Sequence, residues 1–230
     1  MKIVKLTEAA TQAPPKICTY GAAGVGKTRS IATLPGRVLV GSAEAGLLSL
    51  AQAKRDDIDV TVIETFADVG DIYKSMKAGA GYDWLVLDSL SEIAEVLLVE
   101  EKAKTKDPRQ AYGAIADRIM TMLQEVRKLP CGVLYLAKEA RIQVDIEGSE
   151  STRTTYGVAF PGAQLGARVP FMFDFLLRQV VRTEVVDGKK AIVRRLQTFA
   201  DGTSDCKDRS GSLEPYEAVD YAAIVSKVYK

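Results

Sequence analysis

Short apolar runs, each cut off by glycine, proline or a carboxylate, alternate through the first 137 positions with stretches whose apolar residues recur at helical spacing. Residues 16–20 (Lys-Ile-Cys-Thr-Tyr) read as a first strand, and 27–33 as a short helix stopped by Pro35-Gly36. Residues 37–41 (Arg-Val-Leu-Val-Gly) form a buried second strand that runs into Ser42-Ala43-Glu44, followed by a helical stretch over 47–54. A third strand is expected over 60–64, a helix with an acidic first turn over 68–77, and a fourth strand over 84–88 that ends on Asp88. Helical period then covers 89–104 and 110–129, interrupted by a basic loop at 102–109, and 131–137 is a fifth strand. Strand–helix alternation of this kind predicts a mainly parallel sheet with helices on both faces.

Past residue 138 the pattern changes. Residues 141–146 alternate as a hairpin strand does, 147–155 are polar, and 156–169 carry glycine and proline without a period. Two strands, 171–186 and 190–199, flank the turn signal Asp187-Gly188, and a polar loop over 201–213 precedes a last helix over 215–229. The expectation is one α/β domain over 16–230 with C-terminal β-hairpins, preceded by a lead-in over 1–15 that ends at Pro14-Pro15.

Composition narrows the chemistry. The 230 residues include 31 Lys and Arg against 30 Asp and Glu, so any affinity for nucleic acid must come from a local patch. Histidine is absent, which excludes histidine relays, Ser-His-Asp triads and His-ligated metals. Cys18, Cys131 and Cys206 are odd in number and far apart, and are expected to be reduced thiols of a cytoplasmic protein. No stretch has the length of a signal-peptide core or a membrane span, so no membrane partner is expected.

The most specific signal follows the first strand. Gly21-Ala22-Ala23-Gly24-Val25-Gly26-Lys27-Thr28 fits the P-loop pattern G-x-x-x-x-G-K-[ST] without a mismatch. Its glycines let the backbone curl so that successive N–H groups point at one phosphate, and a helix starting near Gly26 turns its positive end to the same group. Lys27 is placed to reach the β- and γ-phosphates and the Thr28 hydroxyl to hold Mg²⁺, with Arg29 completing the candidate nucleotide set. ATP and Mg²⁺ are the expected cofactors.

Asp88, after four apolar residues, has the position of a second, Mg²⁺-organising carboxylate. Many P-loop motors carry glutamate next as the base that orients water; here the next residue is Ser89, so a base must come from elsewhere. Glu44, ending the strand after the P-loop helix, is the candidate, and Lys138 and Glu139, after strand five, are candidates for contact with the γ-phosphate.

These motifs together resemble the RecA/RadA ATPase core. More narrowly, the chain's short length, Arg109-Gln-Ala-Tyr-Gly113 and Cys206-Lys-Asp-Arg-Ser-Gly211 resemble the phage-encoded core-only recombinases, which are implicated in single-strand annealing. The resemblance implies a RecA-like fold, DNA-stimulated ATP hydrolysis, self-assembly into a ring or filament, and residence in a bacterial host's cytoplasm. It matches Glu44 to the glutamate that polarises water, and Lys207 and Arg209 to a basic pair that reaches a neighbouring protomer's nucleotide. It makes residues 1–15 a candidate oligomerisation segment and puts a DNA-binding loop within 139–168. Single-stranded DNA is the implied partner, and a single-strand-binding protein a further candidate.

Residues able to meet a strand are Lys102, Lys104, Lys106 and Arg109 in the basic loop, with Arg141, Arg153 and Arg168 later; Tyr112 and Tyr156 could stack on bases. Two other readings stand beside this one: a small-molecule or nucleotide kinase whose lid lies after residue 140, and a nucleotide-dependent switch that binds a protein.

Overall fold

A computed structural model describes residues 14–44, 46–145, 151–186 and 188–229. The central strand, β1 (Lys16–Gly21), lies parallel to and between β5 (Gly132–Asp145) and β7 (Phe175–Val186). Across the sheet, β4 (Trp84–Asp88) pairs with β5, β2 (Val38–Ser42) with β4, and β3 (Ile58–Val62) closes that edge, all in parallel. On the other side β8 (Lys189–Gln197) and β10 (Tyr216–Ala218) join antiparallel. A hairpin partner, β6 (Thr152–Val158), extends β5, and the two-residue β9 (Lys207–Asp208) pairs with β7. The expected α/β fold, a mainly parallel sheet with late hairpins, is what forms.

Strand alternation produces two cores. Cys18 and Tyr20 of β1 pack with α3 (Phe66–Lys77), α4 (Leu90–Lys104) and α5 (Pro108–Val126). Ile17 faces the other way, towards α1 (Lys27–Ser30) with its 3₁₀ continuation Ile31–Thr33, α2 (Leu48–Ala51) and α7 (Tyr221–Val228). Every residue of β2 and β4 is buried, because both faces of these strands are covered. Fully burying one such Ile, Leu or Val is favourable by about 1.5–3 kcal/mol. The register then sets Gly21 beside Lys138 and Ser42 beside Asp88, so four chemistry-bearing strand ends share one edge of the sheet.

Several elements depart from the sequence pattern. The separate strands expected over 131–137 and 141–146 are one continuous β5, which runs through Lys138 and leaves the sheet to pair with β6. Part of the expected polar segment is therefore strand. The unpatterned stretch holds the rest of β6, α6 (Ala163–Arg168) and a 3₁₀ turn, Val169–Met172, which delays β7 to Phe175. The expected helix over 215–229 splits: β10 pairs with β8, and Asp220 then caps α7 by accepting the Ala223 N–H at 3.0 Å.

Two helices also begin earlier than their apolar period suggests. Asp107 caps α5 with Pro108 in its first turn, and Thr65 with Asp68 forms a capping box on α3. Residues 1–13 of the expected lead-in, residues 146–150 and Asp187 of the expected turn lie outside the described residues.

Candidate nucleotide site

The loop after β1 takes the shape its glycines permit. Gly24 and Gly26 have φ of 77° and 98°, a region that side-chain-bearing residues rarely enter. Gly26 is also the N-cap of α1, whose Ser30 N–H returns to the Gly26 carbonyl at 3.1 Å. Because α1 is a single turn with a 3₁₀ continuation, its dipole is short. The Lys27 ammonium bends over the loop and donates to the carbonyls of Gly21 and Ala22 at 2.8 and 3.0 Å. Burial lowers its pKa, against the opposing pull of Glu44 and Asp88.

A cavity of about 570 Å³ lies over this loop, lined by Gly21 to Gly24 together with Gly26, Lys27, Thr28, Glu44, Ser49, Asp88, Lys138 and Glu139. Thr28 Oγ1 donates to Asp88 Oδ2 at 2.8 Å. Asp88 is 4% exposed, and that burial raises its pKa above the usual carboxylate value. One hydroxyl and one carboxylate, both hard oxygen donors at the head of the loop, suit Mg²⁺. Glu44 Oε1 accepts from Ser89 Oγ at 2.6 Å and lies 3.8 Å from Lys138 Nζ. Lys138 also pairs with Glu92. Sequence reading had paired the motif with Glu44 and Asp88, and the fold brings all three to one cavity.

The AAA domain family matches residues 13–210 of the chain. The chain belongs to the AAA domain family. It is a P-loop ATPase core. Its fold is similar to a solved structure described as a prototypical ATPase from the type III secretion system of pathogenic bacteria. The TM-score is 0.52 at 13% identity, over 73% of this chain and 52% of that one, so this chain spans about half of that protein's length. The likeness carries the fold alone. A search of curated proteins finds no match. Among the described residues no helix is long and apolar enough to cross a membrane.

Other expected site residues of this AAA domain fall elsewhere. Lys207 and Arg209 sit at the opposite end of the sheet from their own P-loop, since β9 pairs with the first residues of β7. Both side chains are tied to their own chain: Lys207 Nζ donates to the carbonyls of Pro170 and Phe173, at 3.3 and 2.7 Å, and Arg209 donates to Asp174 at 2.7 Å. Lys104 pairs with Glu101 at 2.7 Å, while Lys106 and Arg109 are exposed. Arg141 and Arg153 are exposed on the β5–β6 hairpin, and Arg168, also exposed, ends α6. Tyr156 has a ring face covered by the Arg178 guanidinium, 3.6 Å from its centroid. Tyr112, under Lys102, adjoins Gly162 and Pro161, so the basic loop and the α6 segment meet there.

Three residues near the P-loop escaped sequence reading. Glu92 reaches Lys138 from α4. Arg178 Nε donates to Glu139 Oε2 at 2.8 Å and its Nη1 to Ser204 Oγ at 3.0 Å, joining the cavity wall to the loop beyond β8. Gln179, 1% exposed, donates from Nε2 to the Val25 carbonyl at 2.9 Å and so braces the P-loop from β7. A signal was present: Arg178-Gln179 interrupts the apolar run Phe175-Leu-Leu and Val180-Val181, and a polar pair inside an apolar strand needs partners.

Proposed function

We propose that this AAA domain hydrolyses Mg²⁺-ATP while bound to single-stranded DNA, assembles with copies of itself, and serves strand annealing or recombination. The observation that carries the reading is the continuity of β5. One strand runs from the sheet core past Lys138 and Glu139 on the wall of the nucleotide cavity, then out into the hairpin with Arg141 and Arg153. The wall of the nucleotide cavity and an exposed hairpin carrying Arg141 and Arg153 are thereby built on one strand, on which Arg141 pairs with Glu139 at 3.4 Å. Catalysis would be positioning and charge neutralisation: Lys27 would meet the terminal phosphates, Thr28 and Asp88 would hold the Mg²⁺ ion that neutralises their charge, and Glu44 would orient the attacking water. Lys207 and Arg209 are remote from their own P-loop; to serve a neighbour's nucleotide Arg209 must leave Asp174, and Lys207 must leave the carbonyls of Pro170 and Phe173.

The test is ATP hydrolysis with and without single-stranded DNA, beside a screen of phosphoryl acceptors. Stimulation by DNA supports the reading; transfer to an acceptor would make it a kinase. If the basic residues contact phosphates, affinity for DNA falls steeply with salt, and replacing Arg153 and Arg168 flattens that slope. For the neighbour-reaching pair, Lys27→Ala and Arg209→Ala are each inactive, and mixing them restores part of the hydrolysis. No recovery from a mixture shown to co-assemble would end that part of the proposal.

A further inference from the structure

The two faces of the β7–β8 hairpin differ in what covers them. On one, Arg182 stands opposite Val193 and Glu184 opposite Ala191. That face is engaged: Glu184 pairs with Arg195, and the Arg182 guanidinium lies 3.8 Å from the ring centroid of Tyr216 on β10. The other face sets Val181 opposite Arg194, Thr183 opposite Ile192 and Val185 opposite Lys190. Gln179, two residues before Val181, is buried against the P-loop, and beyond it this face opens to solvent. Val181, Val185 and Ile192 are 49%, 71% and 79% exposed, an unusual place for three branched apolar side chains on one small surface. Lys190 and Arg194, two residues either side of Ile192, are exposed and make no ion pair among the described residues. Residues 180–195 carry five Lys and Arg against Glu184 and Asp187. The strand edge is open as well. Among the described residues β10 pairs only with Arg195 to Gln197, which leaves the outer edge of β8 from Lys189 to Arg194 without a neighbour.

An apolar residue between two unpaired cations, on a strand with a free edge, asks for a partner strand of complementary pattern. We infer that β8 takes an added strand from an acidic partner peptide of the form acid–x–apolar–x–acid. Residues two apart share a face, so the apolar side chain of that peptide lies beside Ile192 while its acids meet Lys190 and Arg194. Main-chain hydrogen bonds along Lys189 to Arg194 supply affinity, and the two charge pairs fix the register. The same cations oppose pairing with a second, equally cationic β8 edge. Single-stranded nucleic acid fits this face less well, because bases stack on aromatic rings and none of its six side chains is aromatic. The inference does not depend on the nucleotide reading of the P-loop.

The experiment is fluorescence anisotropy of the full chain at low salt with labelled, end-capped peptides. The probe is Ser-Gly-Glu-Thr-Val-Thr-Glu-Gly-Ser, compared with the same peptide carrying Lys for both Glu, and with oligothymidylate. The acidic peptide should bind and the lysine peptide should not. Lys190→Glu combined with Arg194→Glu should weaken the acidic peptide at least about tenfold and make the lysine peptide the tighter binder. Ile192→Ser should weaken the acidic peptide about fivefold. All three substitutions are at exposed positions, and an unchanged thermal midpoint checks that each variant folds. Of two acidic peptides N-methylated at alternate residues, one should fail and the other bind, because alternate N–H groups of a strand point to opposite edges. Equal binding of those two would reduce the contact to charge and overturn strand addition. No binding of the acidic peptide to the wild-type chain would end the inference. Oligothymidylate that displaces the peptide and is lost in the double variant would give the face to nucleic acid instead. Self-association of the wild-type chain that Ile192→Ser abolishes would give it to a second copy.

Discussion

Two lysines bracket β1, and both have a lowered pKa because they are buried. Lys16, at the start of the strand, is 3% exposed, and burial pushes its amine down to about 8. Its Nζ donates to the carbonyls of Leu129 and Cys131 at 3.1 and 2.6 Å, and its backbone N–H to Asp174 at 3.1 Å. Every partner is a fixed part of the fold. Lys27, beyond the strand's other end, also rests on backbone carbonyls, but on those of a glycine loop that opens to a cavity shared with Thr28, Glu44, Asp88 and Lys138. A perturbed amine is therefore no mark of function in itself; convergence of complementary groups on accessible space is what separates the two ends.

The contrast breaks most readily at Lys27. Lys27→Ala should lower ATP turnover by on the order of 10²–10³, by loss of a cation at the terminal phosphates, while the thermal midpoint stays near that of the wild-type chain. Undiminished turnover in a clean preparation would remove the assignment. Next in size is Glu44→Gln, whose amide oxygen can still accept from Ser89 but which cannot polarise water; turnover should fall about 10²-fold with ATP binding retained. If Glu139→Gln is dead and Glu44→Gln is not, the carboxylate roles are reversed.

At the other end, Lys16→Met should leave turnover alone and cost roughly 1–3 kcal/mol in urea denaturation, because two buried carbonyls lose their donor. The pH dependence sharpens this. Between about 8 and the ordinary lysine value of 10.5 the unfolded chain holds a proton on Lys16 that the native chain has released, so this residue's contribution to stability rises with pH. The stability deficit of Lys16→Met should therefore be larger at pH 10 than at pH 7.5, and a deficit that shrinks would contradict the burial argument.

The smallest expected change in stability is at Asp88, where function and stability oppose each other. Its raised pKa means the native state binds the extra proton, so its contribution falls as pH rises above the ordinary carboxylate value, and the penalty is complete once the native carboxyl has ionised. Asp88→Asn should thus stabilise the nucleotide-free chain at neutral pH by roughly 1 kcal/mol while abolishing Mg²⁺-dependent turnover. A variant that is both less stable and inactive would show the carboxylate to be structural.

Much was legible along the chain because it depends on neighbours in sequence. The P-loop needs particular residues at fixed spacing, and Gly24 and Gly26 adopt the positive φ that this spacing anticipates. The parallel strands read as apolar runs because both their faces are covered. Where reading failed, a distant partner decided: residues 216–218 have helical period but become β10 because β8 offers an open edge at Leu196. Caps were readable in principle, since Asp107 before Pro108 and Asp220 before Tyr221 are ordinary start signals.

The sequence by itself determined that a phosphate-binding loop follows a buried strand and that Asp88 ends another. Only the tertiary structure decided that Glu44, Lys138 and Glu139 face that loop, since this depends on the register of four parallel strands. It also decided that Lys207 and Arg209 lie at the far end and that Gln179 and Arg194 stand beside Gly26. Short-range sterics are written in residue type and spacing; which long-range strand ends meet is set by how the apolar faces pack, and no local pattern encodes that choice.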